Sequence, residues 1–376
     1  MVNTIERTIH LFSLVFFIIG SGILRHPFDR PRLCLSIFYI LTVWCVYAWV
    51  LYYMTITFPR MVYNFLQLFL LFVNLLVTMI AIITTICKHK KFHTCIRKLG
   101  FVDNTLKELE ISKKYRTCVD ITNDTRATIL PIALGYPIYI NTYMDIMFVF
   151  ILRYIGTKLD EINEHIERIS KIEKYGLRCT WTEALIVTPY VRSTEEHVLW
   201  TAIHLHFELC RIAQDINSLF GIQMTLQMAS YFVLCIVLSY IQYNAIRQLY
   251  RTNATILKTM LSGGMWFIIL LTKLISLNHI CESVSTKAQK TKSLIHKLTN
   301  IICFAETRKE ICQFVLHISL RPLKFNGMGL FYFGYNFIYK FFAWAVTVII
   351  FIVQMDSFPT FRTILSERYN NVTRYN

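Results

Sequence analysis

Charge is scarce in this sequence. Only 16% of its 376 residues are Asp, Glu, Lys or Arg, whereas 55% are hydrophobic and the mean hydropathy is +0.46. A water-soluble chain of this length needs far more charge to cover its surface, so the composition excludes an ordinary soluble globular protein and points to a multi-spanning membrane protein. Acids are scarcer still, 23 against 39 basic residues, which leaves a formal charge of +16. That surplus could suggest nucleic acid, but the lysines and arginines lie mainly between apolar runs, where they report membrane topology, so no nucleic-acid partner is expected. The sequence lacks a glycine-rich phosphate loop, a nucleophile elbow, a zinc signature and any CxxC pair. Nothing in it supports an enzyme, a cofactor or a metal. The 11 cysteines are scattered, several inside apolar runs, and read as small buried hydrophobes instead of a disulfide framework.

Long apolar runs and aromatics (28 Phe and 21 Tyr) are what is abundant. A helix needs about 20 apolar residues to cross a bilayer. Runs at 33–56, 62–87, 129–155, 219–243 and 257–281 qualify, as does a last one ending at Met355 that extends back as far as Leu330. Residues 1–22 could pass for a signal peptide, but read better as a short amphipathic helix leading to the first span, because Arg25, Arg30 and Arg32 then mark a cytoplasmic flank. The loop 88–116 is strongly basic and therefore cytoplasmic, as are the mixed, helical stretch 153–211 and the basic stretch 287–324. The N-terminus is then cytoplasmic too. This arithmetic requires one more crossing between Arg116 and Ile129, where "TCVDITNDTRAT" cannot fill a bilayer. Charge asks for seven spans and hydropathy supplies six. The expected fold is all-α, a polytopic helical bundle with its third span missing or degenerate.

Several short patterns are candidate sites. "CKHKKFHTC" gathers Cys87, His89, His93 and Cys95, with the two histidines one turn apart, but a basic juxtamembrane helix explains it better than a metal. In "LDEINEHIERI", Asp160, Glu161, Glu164, His165 and Glu167 could form a carboxylate–histidine site, but Leu159, Ile162, Ile166 and Ile169 form one apolar face, which predicts that the charges form a solvated face opposite. Leu205, Leu209, Ile212 and Ile216 repeat the pattern. Asp145 lies inside an apolar span near Tyr139 and Tyr143, and an acid there marks a functional site by default. With Trp266, beside Gly263 and Gly264, these residues suit a small-molecule pocket. Asn123, Asn253 and Asn371 begin N-x-T sequons and fall outside the membrane in the seven-span scheme.

The C-terminal stretch "RPLKFNGMGLFYFGYNFIYKFFAWAVTVIIFIVQM" resembles the signature of insect gustatory receptors. There the last helix ends in Thr-Tyr, five apolar residues and Gln-Phe. Here Thr347 and Gln354 match, 349–353 are apolar, and Val348 and Met355 replace the two aromatics. Phe325, Asn326, Gly329, Leu330 and Phe331 fit the pattern before it. The resemblance implies the insect chemoreceptor fold, which is related to that of insect odorant receptors. It implies a ligand-gated cation channel of four subunits, homomeric or mixed with other gustatory receptors, opened by a small-molecule tastant. Such a protein would be a multi-pass resident of the plasma membrane, in contact with its lipid, in a sensory neuron dendrite. It also implies a ligand-binding bundle over 1–281, a cytoplasmic anchor over 282–340, and a pore helix with a short extracellular tail over 341–376. Thr347, Ile350 or Phe351, and Gln354 share one helical face, which in a tetramer would line the pore. An odorant-receptor-like subunit is the nearest alternative. A G-protein-coupled receptor lacks support because NPxxY is absent, and a transporter because no repeated halves are present.

The charge pattern predicts that an epitope tag at residue 2 stays hidden from antibody in intact cells and becomes accessible on permeabilisation. A tag at residue 376 should be reached from outside in the seven-span scheme, and from inside if one crossing is truly absent. An N-terminal tag stained on intact cells would overturn the orientation.

Overall fold

A computed structural model describes residues 14–15, 17–22, 33–57, 65–108, 129–179, 189–248, 254–299 and 305–357. The helices are α1 (Leu33–Thr57), α2 (Phe65–Glu108), α3 (Ile129–Cys179), α4 (Pro189–Gln248), α5 (Ala254–Thr299), α6 (Ala305–Leu320) and α7 (Tyr335–Ser357). A two-stranded hairpin, β1 (Asn326–Gly327) and β2 (Phe331–Tyr332), separates α6 from α7. Among the described residues six helices are long and apolar enough to cross a membrane, as expected, and α6 is the one that is not. Four of the six run far past their apolar stretch. The basic region after the second span is therefore no loop as far as Glu108: it continues α2, because nothing in 88–108 breaks a helix and its neighbours bury its apolar stripe.

The chain divides into two compact units, one of residues 1–225 with 279–333 and one of 226–278 with 334–376. In the first, residues 17–22 pack on α1. Phe17 stacks on Tyr39 at 4.6 Å. Tyr39, Tyr136 and Trp44 then donate hydrogen bonds to the carbonyls of Ile18, Ile19 and Gly20 in turn. Gly20 has φ +69°, and a Cβ there would lie 2.7 Å from Val43 Cγ1, so only glycine allows this approach.

Helices α2 and α3 lie side by side and run in the same direction. At one end Thr78 meets the carbonyl of Pro137 and the amide of Asn141. Further along, Lys158 Nζ is 2.9 Å from Asp103 Oδ1 and 2.9 Å from Glu161 Oε2. Both contacts advance along the two helices together, so the chain leaving Glu108 must return the whole length of the pair to re-enter at Ile129. From Ile129 to the level of Lys158 is roughly 44 Å of helix, whereas the twenty intervening residues would span only about 30 Å as a helix. Residues 109–128 lie outside the described residues, and they carry Glu110, Lys113, Lys114, Arg116, Asp120, Asp124 and Arg126. Among the described residues there are six spans, and the consecutive pair α2 and α3 run parallel, as the charge pattern requires for a chain with a missing or degenerate third span.

Beyond the spans, α3 is the hub of a helical layer. Leu159, Ile162, Ile166 and Ile169 are buried as their spacing predicts, and so are Leu205, Leu209, Ile212 and Ile216 of α4. The charges opposite do not all face solvent, and this corrects the expectation for Glu161. It is buried with Lys158 against α2, while Glu164 is exposed. On its α5 side, Asp160 pairs with Lys287 at 2.6 Å, and Asn163 donates to the Lys287 carbonyl and accepts from Thr291 at 2.7 Å. Lys91 reaches Asp215 at 3.4 Å and ties α2 to α4. Asn217 and Asn326 join α4 to the hairpin. The last span was expected to reach back to Leu330. It begins at Tyr335, because Met328 (φ 52°), Gly329 (φ 80°) and Gly334 (φ 144°) take left-handed backbone that no helix tolerates.

In the second unit the start of α7 is held by Gly334 N–H, which donates to Asn278 Oδ1 at 3.0 Å, and by Phe341 packed edge-on to Phe232 at 5.5 Å. Gln242 donates to the Met260 carbonyl beside Gly263, where a Cβ would come within 2.4 Å of the Gln242 amide nitrogen.

Removing only the cation from the buried trio leaves two carboxylates facing each other without water. Lys158→Met should cost about 3–5 kcal/mol. Replacing all three (Lys158→Met, Asp103→Leu, Glu161→Leu) should recover most of that. Thermal unfolding of the purified protein in detergent reads both, and an unchanged midpoint for Lys158→Met would contradict the assignment.

Candidate functional site

Helix α7 has an uneven surface. Among the six described spans its apolar stretch is the least buried, 11% against 50% for α3. Phe341 and Ala345 form its covered side. Thr347, Ile350, Phe351 and Gln354 are all exposed, on one face. The Thr347 hydroxyl is satisfied by the carbonyl of Ala343 one turn back, at 2.9 Å. Gln354 makes no hydrogen bond to any described residue, so a polar amide stands open on an otherwise apolar face.

The three candidate pocket residues of α3 are not gathered on one face. Asp145 is buried in α3, Tyr143 is half-buried, and Tyr139 is exposed. Tyr139 and Asp145 are six residues apart, which puts them on different faces of the helix. The Tyr139 ring instead folds back over Gly135, where a Cβ would lie 3.0 Å from it. Trp266 is exposed on α5 beside Met265 and Ile269.

Asp145 shares its face with Asn141, one turn away. Asn141 belongs to a buried polar seam that sequence reasoning missed. In that seam the Thr78 hydroxyl lies 2.8 Å from the Asn74 carbonyl, 3.2 Å from Asn141 Oδ1 and 3.3 Å from the Pro137 carbonyl. Asn141 also donates to the Asn74 carbonyl at 3.4 Å. Buried Gln223 on α4 was missed as well. The signal for all of them was present, since an amide inside a membrane helix is as informative as an acid. Near the seam's outer edge, Trp44, Tyr47 and Tyr136 form an aromatic cluster, with Tyr47 and Tyr136 at 5.1 Å.

The imidazoles of the basic motif have local roles. His89 Nδ1 lies 3.0 Å from the Ile86 carbonyl, and His93 Nδ1 lies 3.4 Å from the Arg97 guanidinium. Among the described residues no group of three His, Cys, Asp or Glu side chains could hold a metal ion. Asn123, Asn253 and Asn371 lie outside the described residues.

A family model described as "7tm Chemosensory receptor" matches residues 115–358. No curated protein matches by sequence. The fold is similar to that of the insect olfactory receptor OR5 from Machilis hrabei, with a TM-score of 0.60 and 14% identity over 93% of this chain and 98% of that one. The same receptor solved in complex with eugenol gives a TM-score of 0.56 and 13% identity over the same shares. The family match covers most of the chain, including the hairpin and the whole apolar part of α7, and the likeness to OR5 runs through the full bundle. This chain belongs to the seven-transmembrane chemosensory receptor family.

Proposed function

We propose that this chain is a gustatory receptor subunit of a ligand-gated, non-selective cation channel, in which four copies, or this chain with related subunits, place α7 around a central pore. The carrying observation is Gln354, an amide with no partner among the described residues, on the exposed face of the least buried span. In hydrocarbon such an amide costs several kcal/mol. A water-filled pore satisfies it without any protein partner. Four amides there would replace part of an ion's water shell, and Ile350 or Phe351 on the same face would gate by dewetting. Thr347 and Gln354 stand where gustatory receptors carry theirs, and this favours taste over smell. The channel would sit in the plasma membrane of a sensory dendrite with its N-terminus inside.

A small organic molecule is the ligand class we propose, and a fold relative that binds eugenol supports it. Candidate contacts, as alternatives to one another, are Asp145 on one face of α3, Tyr143 and Tyr139 on another, and Trp266 on α5. Asp145 is the strongest, since a buried acid within a span selects a ligand with hydrogen-bond donors or a positive charge.

Two experiments follow. Gln354→Glu would place a ring of charge in a pore and should raise cation selectivity or divalent block at normal surface expression, while Gln354→Ala should alter conductance. Unaltered permeation in both would remove Gln354 from the pore, and lost expression with normal residual currents would assign it to packing. For the ligand, Asp145→Asn should move an agonist's dose–response curve with surface protein unchanged. A curve unmoved by each of the four substitutions made singly would put the pocket elsewhere.

A further inference from the structure

We infer that the basic turns of α2 just past its apolar half form a binding surface for a polyphosphoinositide of the cytoplasmic leaflet, with Lys90 and Arg97 as its principal contacts. The observation is a continuous exposed stripe. Phe69, Phe72, Leu76, Met79, Ile83 and Cys87 follow one another at intervals of three or four residues, all exposed. That is one helical face turned away from the bundle and toward lipid. The same stripe continues without a break through Lys90, Thr94 and Arg97, also exposed. What changes at Cys87 is the chemistry, from hydrocarbon-compatible to cationic.

A basic flank by itself does no more than set topology. Here the cations divide by direction. Lys88 and Lys91 are engaged by α4, the first donating to the Ser218 carbonyl at 2.9 Å and the second pairing with Asp215. Neither is on the stripe. Lys90 meets no carboxylate among the described residues, and Arg97 reaches only the His93 ring, 3.4 Å away. No acid stands on the stripe. Asp103 of α2 is taken by buried Lys158. Among the described residues, then, two cations that meet no carboxylate project from the exposed side of a helix where it leaves the membrane.

Reach decides which headgroup fits. Lys90 lies about 5 Å and Arg97 about 15 Å past Cys87 along the axis, and both side chains lean back toward the membrane. A phosphatidylserine headgroup meets the nearer cation alone. A phosphorylated inositol ring stands further from the bilayer, and its phosphates can be held by both cations, Arg97 with a bidentate grip. Clusters of this kind next to a span attract such lipids by roughly a factor of five per cation.

The test uses the purified full chain in phosphatidylcholine nanodiscs, titrated with a short-chain phosphatidylinositol bisphosphate. The parent should bind saturably. Lys90→Gln and Arg97→Gln should each weaken binding about fivefold and together about thirtyfold. Lys290→Gln with Lys297→Gln, exposed lysines of α5, should change nothing. The charge-keeping swap Lys90→Arg with Arg97→Lys should retain most of the binding, which separates lost contacts from lost folding. Equal affinity in the parent and the double Gln variant would overturn the proposal. So would full competition by free inositol trisphosphate at equal concentration, since the source would then be soluble. The titration reads lipid binding alone, so its failure leaves the pore assignment untouched.

Discussion

Lys158 sits away from water between Asp103 and Glu161, and the rest of the described architecture depends on that meeting. An ammonium between two carboxylates in a low-dielectric layer cannot drift, because each alternative position leaves a buried charge unpaired. It therefore fixes where α2 lies along α3. The Thr78–Asn141 contact fixes the other end by the same reasoning, with an amide and a hydroxyl inside the apolar half. From these two anchors follow the parallel course of the helices and the need for the chain to return between them. The α5 contacts of α3, through Asp160 and Asn163, extend the same hub.

The hub contrasts with α7. Where α3 is gripped by polar contacts from both sides, α7 is held at its start and bare along one face. Gly334 and Asn278 set its first turn, and the positive-φ residues before it stop the chain from continuing as helix. A span so placed has only lipid or other copies of the chain to cover it. Its apolar residues accept either, whereas Gln354 accepts only a partner or water, and that asymmetry underlies the channel reading. Since 115–358 belongs to the chemosensory receptor family, the bare face also lies within the part of the chain that the family shares.

Much of this was legible in the sequence. The six spans, the apolar faces at 159–169 and 205–216, and the parallel course of α2 and α3 could all be read from hydropathy and charge, because burial in lipid or protein leaves a periodic trace. Three features left none. Glu161 belongs by spacing to a solvated face, and only the pairing of its partner Lys158 with Asp103 of α2, 58 residues before Glu161, explains its burial. The start of α7 depends on backbone angles at Met328 and Gly334, which hydropathy does not record. That Lys88 and Lys91 are engaged with α4 while Lys90 and Arg97 stand exposed away from it needs the position of α4. Asn74, Thr78 and Asn141 are a different case: their polarity was visible, and attention to the single acid, Asp145, passed over them.

The claim on which the account rests most heavily is that the bare face of α7 meets water in the assembled protein. Substituted-cysteine scanning from Trp344 to Met355, in an open channel exposed to a small, charged, water-soluble thiol reagent, measures this directly, with the parent chain as baseline for its native cysteines. Modification that changes the current should recur with helical period and peak at 347, 350 or 351, and 354, while positions 345, 348 and 349 stay inert. A peak on the 345–349 side, or reactivity without any period, would contradict it.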